Sequence, residues 1–169
     1  MLAAIAGCGD DNHTGPGPNQ QPIYLDSSTP LNVLHNMRIA YESRDTTAYI
    51  SLFDANYQGA SYDPSGPGQL TFSKGDEAQH IRGLLRSSTI TSVSLTFPPV
   101  LNRFTDISDP PGWATVQMAG AGLGVEINDG PTTYTLLSGT MEFKFLPTTP
   151  ALGSPTDTTW QIVRWYEFP

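Results

Sequence analysis

Apolar residues recur at helical spacing in the segment that follows Thr29 and Pro30. A threonine followed by a proline is typical of a helix start, because threonine caps free N–H groups and proline fits the first turn. The spacing predicts a helix over 30–43. Its buried stripe is expected to be formed by Leu31, Val33, Leu34, Met37, Ala40 and Tyr41.

Two more helices are predicted from their start signals. One follows Asp45 and runs over 46–53, and the other begins at Ser73, where Asp76 stands at the acidic position of a capping box. After residue 87 the spacing changes to the alternation of β-strands, with many Thr, Ser, Val and Ile. The predicted strands are 88–97, 113–118, 123–127, 133–146 and 159–168.

The segment 133–146 is expected to bury one face and expose the other. Leu137, Met141, Phe143 and Phe145 share one side, whereas Glu142 and Lys144 share the opposite side. Glycines at 120–124 indicate a bulge or a bend between strands. Helices followed by strands predict an α+β fold, with N-terminal helices packed on a curved, mostly antiparallel sheet.

Composition and charge narrow the function classes. A chain of 169 residues with 38% hydrophobic content suits one globular domain, and 16 Gly and 15 Pro indicate many loops. The net charge of −8 opposes binding to nucleic acid and to anionic lipid. We therefore expect neither nucleic acid nor a charged membrane surface as a partner.

The first residues are apolar and small, and they lead to Cys8, the only cysteine. Ile5-Ala6-Gly7-Cys8 resembles the lipobox of bacterial lipoproteins, which implies acylation of Cys8 and a membrane anchor. Residues 1–7 are then the remnant of a signal peptide, 8–28 an anchored tether rich in Gly and Pro, and 29–169 the folded domain. The implied location is the cell envelope, facing the periplasm or exterior, and Gly9 favours the outer membrane.

The folded part resembles nuclear transport factor 2-like domains, also called SnoaL-like or cystatin-like cone domains. The resemblance lies in 40–45, Ala-Tyr-Glu-Ser-Arg-Asp, in 49–57, and in the closing segment Trp160-Gln161-Ile162-Val163-Arg164-Trp165. It implies helices that close one side of a cone-shaped sheet. The superfamily includes enzymes and non-catalytic binding modules, so this fold alone does not identify a function.

Ketosteroid isomerases of this superfamily provide the enzymatic template. The segment Tyr62-Asp63-Pro64 is similar to the one that holds their general base, which makes Asp63 the candidate base and Tyr41 or Tyr57 a candidate hydrogen-bond donor. Met37 and Met141 occupy the positions of the family's catalytic tyrosine and second acid. The catalytic set is therefore incomplete.

Other polar residues on the predicted elements are further candidates for a binding pocket or a metal site. Glu126, Glu142 and Arg164 are candidates to line the cone, although an exposed sheet face would place the same residues in water. His35 and His80 each stand alone on a helix, which predicts structural or solvent-facing roles and no metal site. No cofactor is predicted.

These observations lead to one main hypothesis and two others. The main hypothesis is an envelope lipoprotein with a non-catalytic domain that binds a small molecule or a protein partner. The first alternative is a small lyase or isomerase of the ketosteroid isomerase or SnoaL type that uses Asp63 as its base. The second is a homodimer formed through the open sheet face.

Overall fold

The computed structural model describes residues 22–62, 68–98, 101–119, 124–137, 139–148 and 158–168. Cys8, the signal-peptide remnant and most of the predicted tether lie outside these residues. Asp63 and the glycine-rich segment at 120–123 also lie outside them. The anchor, the tether, the candidate base and the predicted bulge therefore stay predictions.

Three helices are present among the described residues: α1 (Pro30–Glu42), α2 (Thr46–Ser51) and α3 (Lys74–Arg86). The predicted caps are confirmed. The Thr29 side chain accepts a hydrogen bond from the Asn32 N–H, and Ser73 and Asp76 form a reciprocal capping box. Helix α2 ends earlier than predicted because Phe53 already begins a strand.

The described strands are β1 (Phe53–Tyr62), β2 (Gln69–Ser73), β3 (Ile90–Thr96), β4 (Asn102–Phe104), β5 (Ala114–Ala119), β6 (Gly124–Asp129), β7 (Thr132–Leu137), β8 (Thr140–Thr148) and β9 (Thr159–Phe168). They form a six-stranded sheet in the order β2-β1-β9-β8-β5-β4 and a three-stranded sheet in the order β3-β6-β7. Strands β1 and β9 pair in parallel, whereas the other pairs are antiparallel. The α+β fold with a mostly antiparallel sheet is confirmed.

The prediction of one long strand over 133–146 was wrong. The chain bends at Gly139, so that 132–137 belong to the smaller sheet and 140–148 to the larger one. Glycine favours such a break because it has no β-carbon to restrict the backbone. Both halves keep a strand pattern, but their hydrogen-bonding partners lie in different sheets.

The main core lies between the helices and the inner face of the larger sheet. The α1 stripe is buried as predicted except at Leu31, which lies in the first turn of the helix and is 43% exposed. Met141, Phe143 and Phe145 of β8 are buried, which confirms the face assigned to them. Among the described residues, no helix is long and apolar enough to cross a membrane.

Lys144 departs from the expected exposed face of β8. It is only 8% exposed, and its ammonium group contacts the carboxylates of Asp109 at 2.6 Å and Asp106 at 3.1 Å. The loop before β5 thus covers this position and supplies the opposite charge. An interior Lys is acceptable here because its charge is paired.

Candidate functional site

A cavity of about 340 Å³ lies between the helices, the end of the larger sheet and the smaller sheet. Its deepest wall consists of fully buried side chains, Met37, Tyr49 and Leu95. Its exposed lining residues come from α3 and β7, so the opening of the cavity lies between these elements. The lining residues are Met37, Tyr41, Tyr49, Phe72, Asp76, Glu77, His80, Leu95, Val125, Ile127, Tyr134, Thr135, Trp165 and Glu167.

A buried carboxylate, Glu77 of α3, lies in the inner part of this cavity. The hydroxyl group of Tyr49 donates to its Oε2 at 3.1 Å, and that of Tyr57 donates to its Oε1 at 2.9 Å. All three residues are at most 8% exposed. Three elements, α2, β1 and α3, thus meet at one carboxylate, which is consistent with the rule that buried polar groups are hydrogen-bonded.

A glycine provides the space for the Tyr57 side chain. A β-carbon at Gly59 would clash with the Tyr57 hydroxyl oxygen and would lie 3.1 Å from Phe72. Gly59 lies two residues beyond Tyr57 on the same face of β1, so the phenol extends across it towards α3. The glycine therefore permits the close approach that joins Tyr57 to Glu77.

A second polar pair lies at the opening of the cavity. The hydroxyl group of Tyr41 and Nε2 of His80 are 2.8 Å apart, and their rings are stacked with centroids 5.7 Å apart. Burial lowers the pKa of His80 below 6.5, which favours a neutral imidazole. Burial raises the pKa of Tyr41, so its hydroxyl group stays protonated.

A second carboxylate, Glu167 of β9, lines another wall. The side chain of Ser61 forms a hydrogen bond with it, and Ser61 and Glu167 are directly paired across β1 and β9. Burial raises the pKa of Glu167 above 4.5, and this hydrogen bond opposes the shift. Burial also raises the pKa of Glu77, against the hydrogen bonds from Tyr57 and Tyr49, and the charge of Glu167 adds to the increase.

A β-bulge determines which residues of β9 reach the cavity. Between β8 and β9 the register moves from Phe145↔Ile162 to Lys144↔Arg164, which leaves Val163 as an extra residue. Strict alternation would place Arg164 on the side of Ile162. The extra residue instead places Trp165 and Glu167 in the cavity lining.

The predicted catalytic residues are only partly brought together. Tyr41 lines the cavity, and Tyr57 lies behind it as a donor to Glu77. Tyr41 does not act as an isolated packing residue, because it contacts His80. Asp63 lies outside the described residues, and its role as a base stays a prediction.

The three residues predicted as pocket candidates do not line this cavity. Glu126 is exposed, because its neighbours Val125 and Ile127 take the inner positions of β6. Glu142 lies beside Lys144 on the outer face of β8, at 3.8 Å. Arg164 lines a separate surface depression with Gln58 and Tyr166.

The sequence patterns did not single out Glu77 or Glu167, and they predicted only a structural or solvent-facing role for His80. Glu77 and His80 are three residues apart and therefore share one face of α3. A charged residue and a histidine on that face indicate solvent exposure when no packing partner is known. The described residues contain no group of three or more His, Cys, Asp or Glu side chains suited to hold a metal ion.

Comparison with known proteins identifies the fold. No protein-family model matches this chain, and no curated protein matches it. Similar solved structures include an NTF2-like protein with a cystatin-like fold from Novosphingobium aromaticivorans, 16% identical, which covers 80% of this chain and 76% of the other with a TM-score of 0.53. The Kfla4162 protein from Kribbella flavida is 12% identical, with 82% and 86% covered and a TM-score of 0.55.

A third similar structure is ActVI-ORFA from Streptomyces coelicolor. It is 10% identical, with 81% of this chain and 91% of the other covered and a TM-score of 0.52. At such low identity these likenesses concern the backbone alone. The chain has the nuclear transport factor 2-like cone fold.

Proposed function

We propose that the domain binds a small organic molecule in the cavity without transforming it, and that acylated Cys8 holds it at the cell envelope. The observation that carries the binding proposal is the cavity itself. Its volume of about 340 Å³ falls within the usual range for ligand sites, and it combines apolar walls with a few fixed polar groups. Tyr41, Glu77 and Glu167 are the groups that would orient a ligand.

A cavity-filling variant tests the binding proposal. Val125 faces the cavity and Glu126, the next residue of β6, is exposed on the other face. Val125→Phe should abolish binding of hits from a fragment library screened by calorimetry, whereas Glu126→Phe should leave their affinity unchanged. Fragments that bind the two variants with equal affinity would place the binding site outside the cavity. A library in which no fragment binds the wild-type protein would count against small-molecule binding and favour a protein partner.

The anchor proposal has an independent test. The lipobox-like order Ile5-Ala6-Gly7-Cys8 and the Gly- and Pro-rich residues after it support it. In a bacterial host that supplies lipoprotein processing, and with a complete lipoprotein signal peptide placed ahead of Ile5, mass spectrometry should find acyl groups on Cys8, and Cys8→Ser should abolish this modification. An unmodified Cys8 thiol in membrane-extracted protein would refute the anchor.

A second candidate function is proton transfer on a bound substrate. The observation that favours it is the Tyr41 and His80 pair, in which a hydroxyl group and a neutral imidazole adjoin the cavity. Asp63 remains the base implied by the ketosteroid isomerase resemblance. Such an enzyme would exchange solvent deuterium into a ketone with an acidic C–H bond, and either His80→Gln or Asp63→Asn would abolish the exchange. Equal exchange rates in wild type, His80→Gln and Asp63→Asn would exclude both His80 and Asp63 as the base.

A further inference from the structure

The charged groups that line the cavity are unevenly distributed. Three lining residues are carboxylates, Asp76, Glu77 and Glu167, whereas no Lys or Arg occurs among the described lining residues. Within the described part of the chain, neither Glu77 nor Glu167 forms an ion pair, and the ion pairs there belong to Lys144 on the outer face of the sheet. A carboxylate in such surroundings is costly unless a positive charge approaches it.

Glu77 has hydrogen-bonding capacity left for a ligand. A carboxylate can accept about four hydrogen bonds, and the described partners of Glu77 are the two phenols of Tyr49 and Tyr57, one on each oxygen. These two bonds hold the side chain in one orientation at the cavity wall. Its remaining lone pairs can therefore accept from a donor placed in the cavity.

The second observation is independent of the acidic residues and concerns the walls. Five of the lining residues are aromatic, and they come from separate elements: Tyr41, Tyr49, Phe72, Tyr134 and Trp165. The face of an aromatic ring carries partial negative charge and attracts an organic cation. Aromatic rings beside carboxylates thus match a ligand that has both an apolar body and an ammonium group.

We propose that the cavity is selective for an organic amine, with an aromatic or other apolar body against the rings and its ammonium group at Glu77 and Glu167. This inference rests on the proposed function, because it specifies the ligand of the same cavity. An anionic ligand would lie among three carboxylates without a Lys or Arg from the described lining, and a neutral ligand would leave the carboxylates without a counter-charge. The net charge of −8 adds a long-range attraction for cations.

Three ligands of nearly equal shape provide the test. Tryptamine, tryptophol and indole-3-acetate carry an ammonium, a hydroxyl and a carboxylate group, respectively, on the same indole. Calorimetric titration of the full chain should show the tightest binding for tryptamine, by about tenfold over tryptophol, and the weakest for indole-3-acetate. Equal or tighter binding of tryptophol or indole-3-acetate would overturn the amine inference while the cavity proposal stands.

Charge-neutral variants show whether the carboxylates cause the preference. Glu167→Gln should weaken tryptamine binding by about tenfold and leave tryptophol binding unchanged. The matched control is Glu126→Gln, which removes the same charge from an exposed position and should affect neither ligand. An equal effect of the two variants would overturn the inference.

Failure of the inference and failure of the proposed function give different results. If none of the three indoles binds, the amine inference is overturned, and the fragment screen with Val125→Phe decides whether the cavity binds any small molecule. Circular dichroism first shows whether each variant is folded. If Glu167→Gln does not fold, Glu77→Gln is titrated with tryptamine in its place. Unchanged tryptamine affinity in a folded Glu77→Gln protein would again contradict the proposal.

Discussion

The hydrogen bond from Tyr57 to Glu77 should stabilise the folded chain by an amount that depends on pH. Both residues are buried, and the bond is 2.9 Å long. A hydrogen bond to an ionised group contributes about 2 kcal/mol, and one between neutral groups contributes about 1 kcal/mol. Tyr57→Phe removes this donor and keeps the ring, so it should destabilise the protein by about 2 kcal/mol where Glu77 is ionised.

The sign of the pH dependence follows from the pKa of Glu77. Burial raises this pKa above 4.5, so the folded chain binds the proton more tightly than the unfolded chain. The contribution of Glu77 to stability is therefore fully present below pH 4.5 and is lost as the pH rises through the folded-state pKa. Removing the Tyr57 donor raises the folded-state pKa further, so the cost of Tyr57→Phe should increase with pH.

Urea unfolding at several pH values measures this effect. The difference between wild type and Tyr57→Phe should be about 1 kcal/mol at low pH, where Glu77 is protonated, and about 2 kcal/mol at high pH, where Glu77 is ionised. Tyr62→Phe is the matched control, because the Tyr62 hydroxyl group is exposed and accepts only a 3.3 Å hydrogen bond from Gln69 among the described contacts. A cost that does not change with pH, or that equals the cost of Tyr62→Phe, would refute the role of Glu77 as the acceptor.

Three other predictions follow from the described contacts. Gly59→Ala should destabilise the protein by about 2 kcal/mol in urea unfolding, because the β-carbon of the alanine displaces the Tyr57 phenol. If Gly59→Ala costs as much in the Tyr57→Phe background as in wild type, the clash with the Tyr57 hydroxyl group is not the cause. Lys144→Met should lower the free energy of unfolding by about 3 kcal/mol in the same assay, because it leaves the buried Asp109 carboxylate without its cation. An unchanged free energy of unfolding would show that solvent reaches Asp109. Asp45→Ala should lower the free energy of unfolding by about 1 kcal/mol, because the Asp45 side chain accepts a hydrogen bond from the Ala48 N–H at the start of α2. An unchanged midpoint of unfolding would exclude a stabilising cap.

Homodimerisation through the open sheet face stays a prediction. Analytical ultracentrifugation of the full chain over a range of concentrations would detect it, and a single monomeric species at every concentration would contradict it.

The sequence by itself determined the local parts of the structure. The caps at Thr29 and Ser73 and the buried face of β8 were predictable, because each depends on residues close together in the chain. The order of helices and strands predicted the α+β class for the same reason. Strands β1, β2 and β4 were missed. The segment 53–62 contains several polar residues and its burial does not alternate regularly, and β2 and β4 are short and largely exposed.

The cavity was decided by tertiary structure. Glu77 is buried because Tyr49 and Tyr57 reach it from other elements, and no local pattern on α3 encodes that meeting. Glu167 faces inward because the bulge at Val163 changes the alternation of β9, and a bulge is defined by the partner strand. Short-range periodicity thus determined the elements, whereas long-range strand register and packing determined which polar side chains share the cavity.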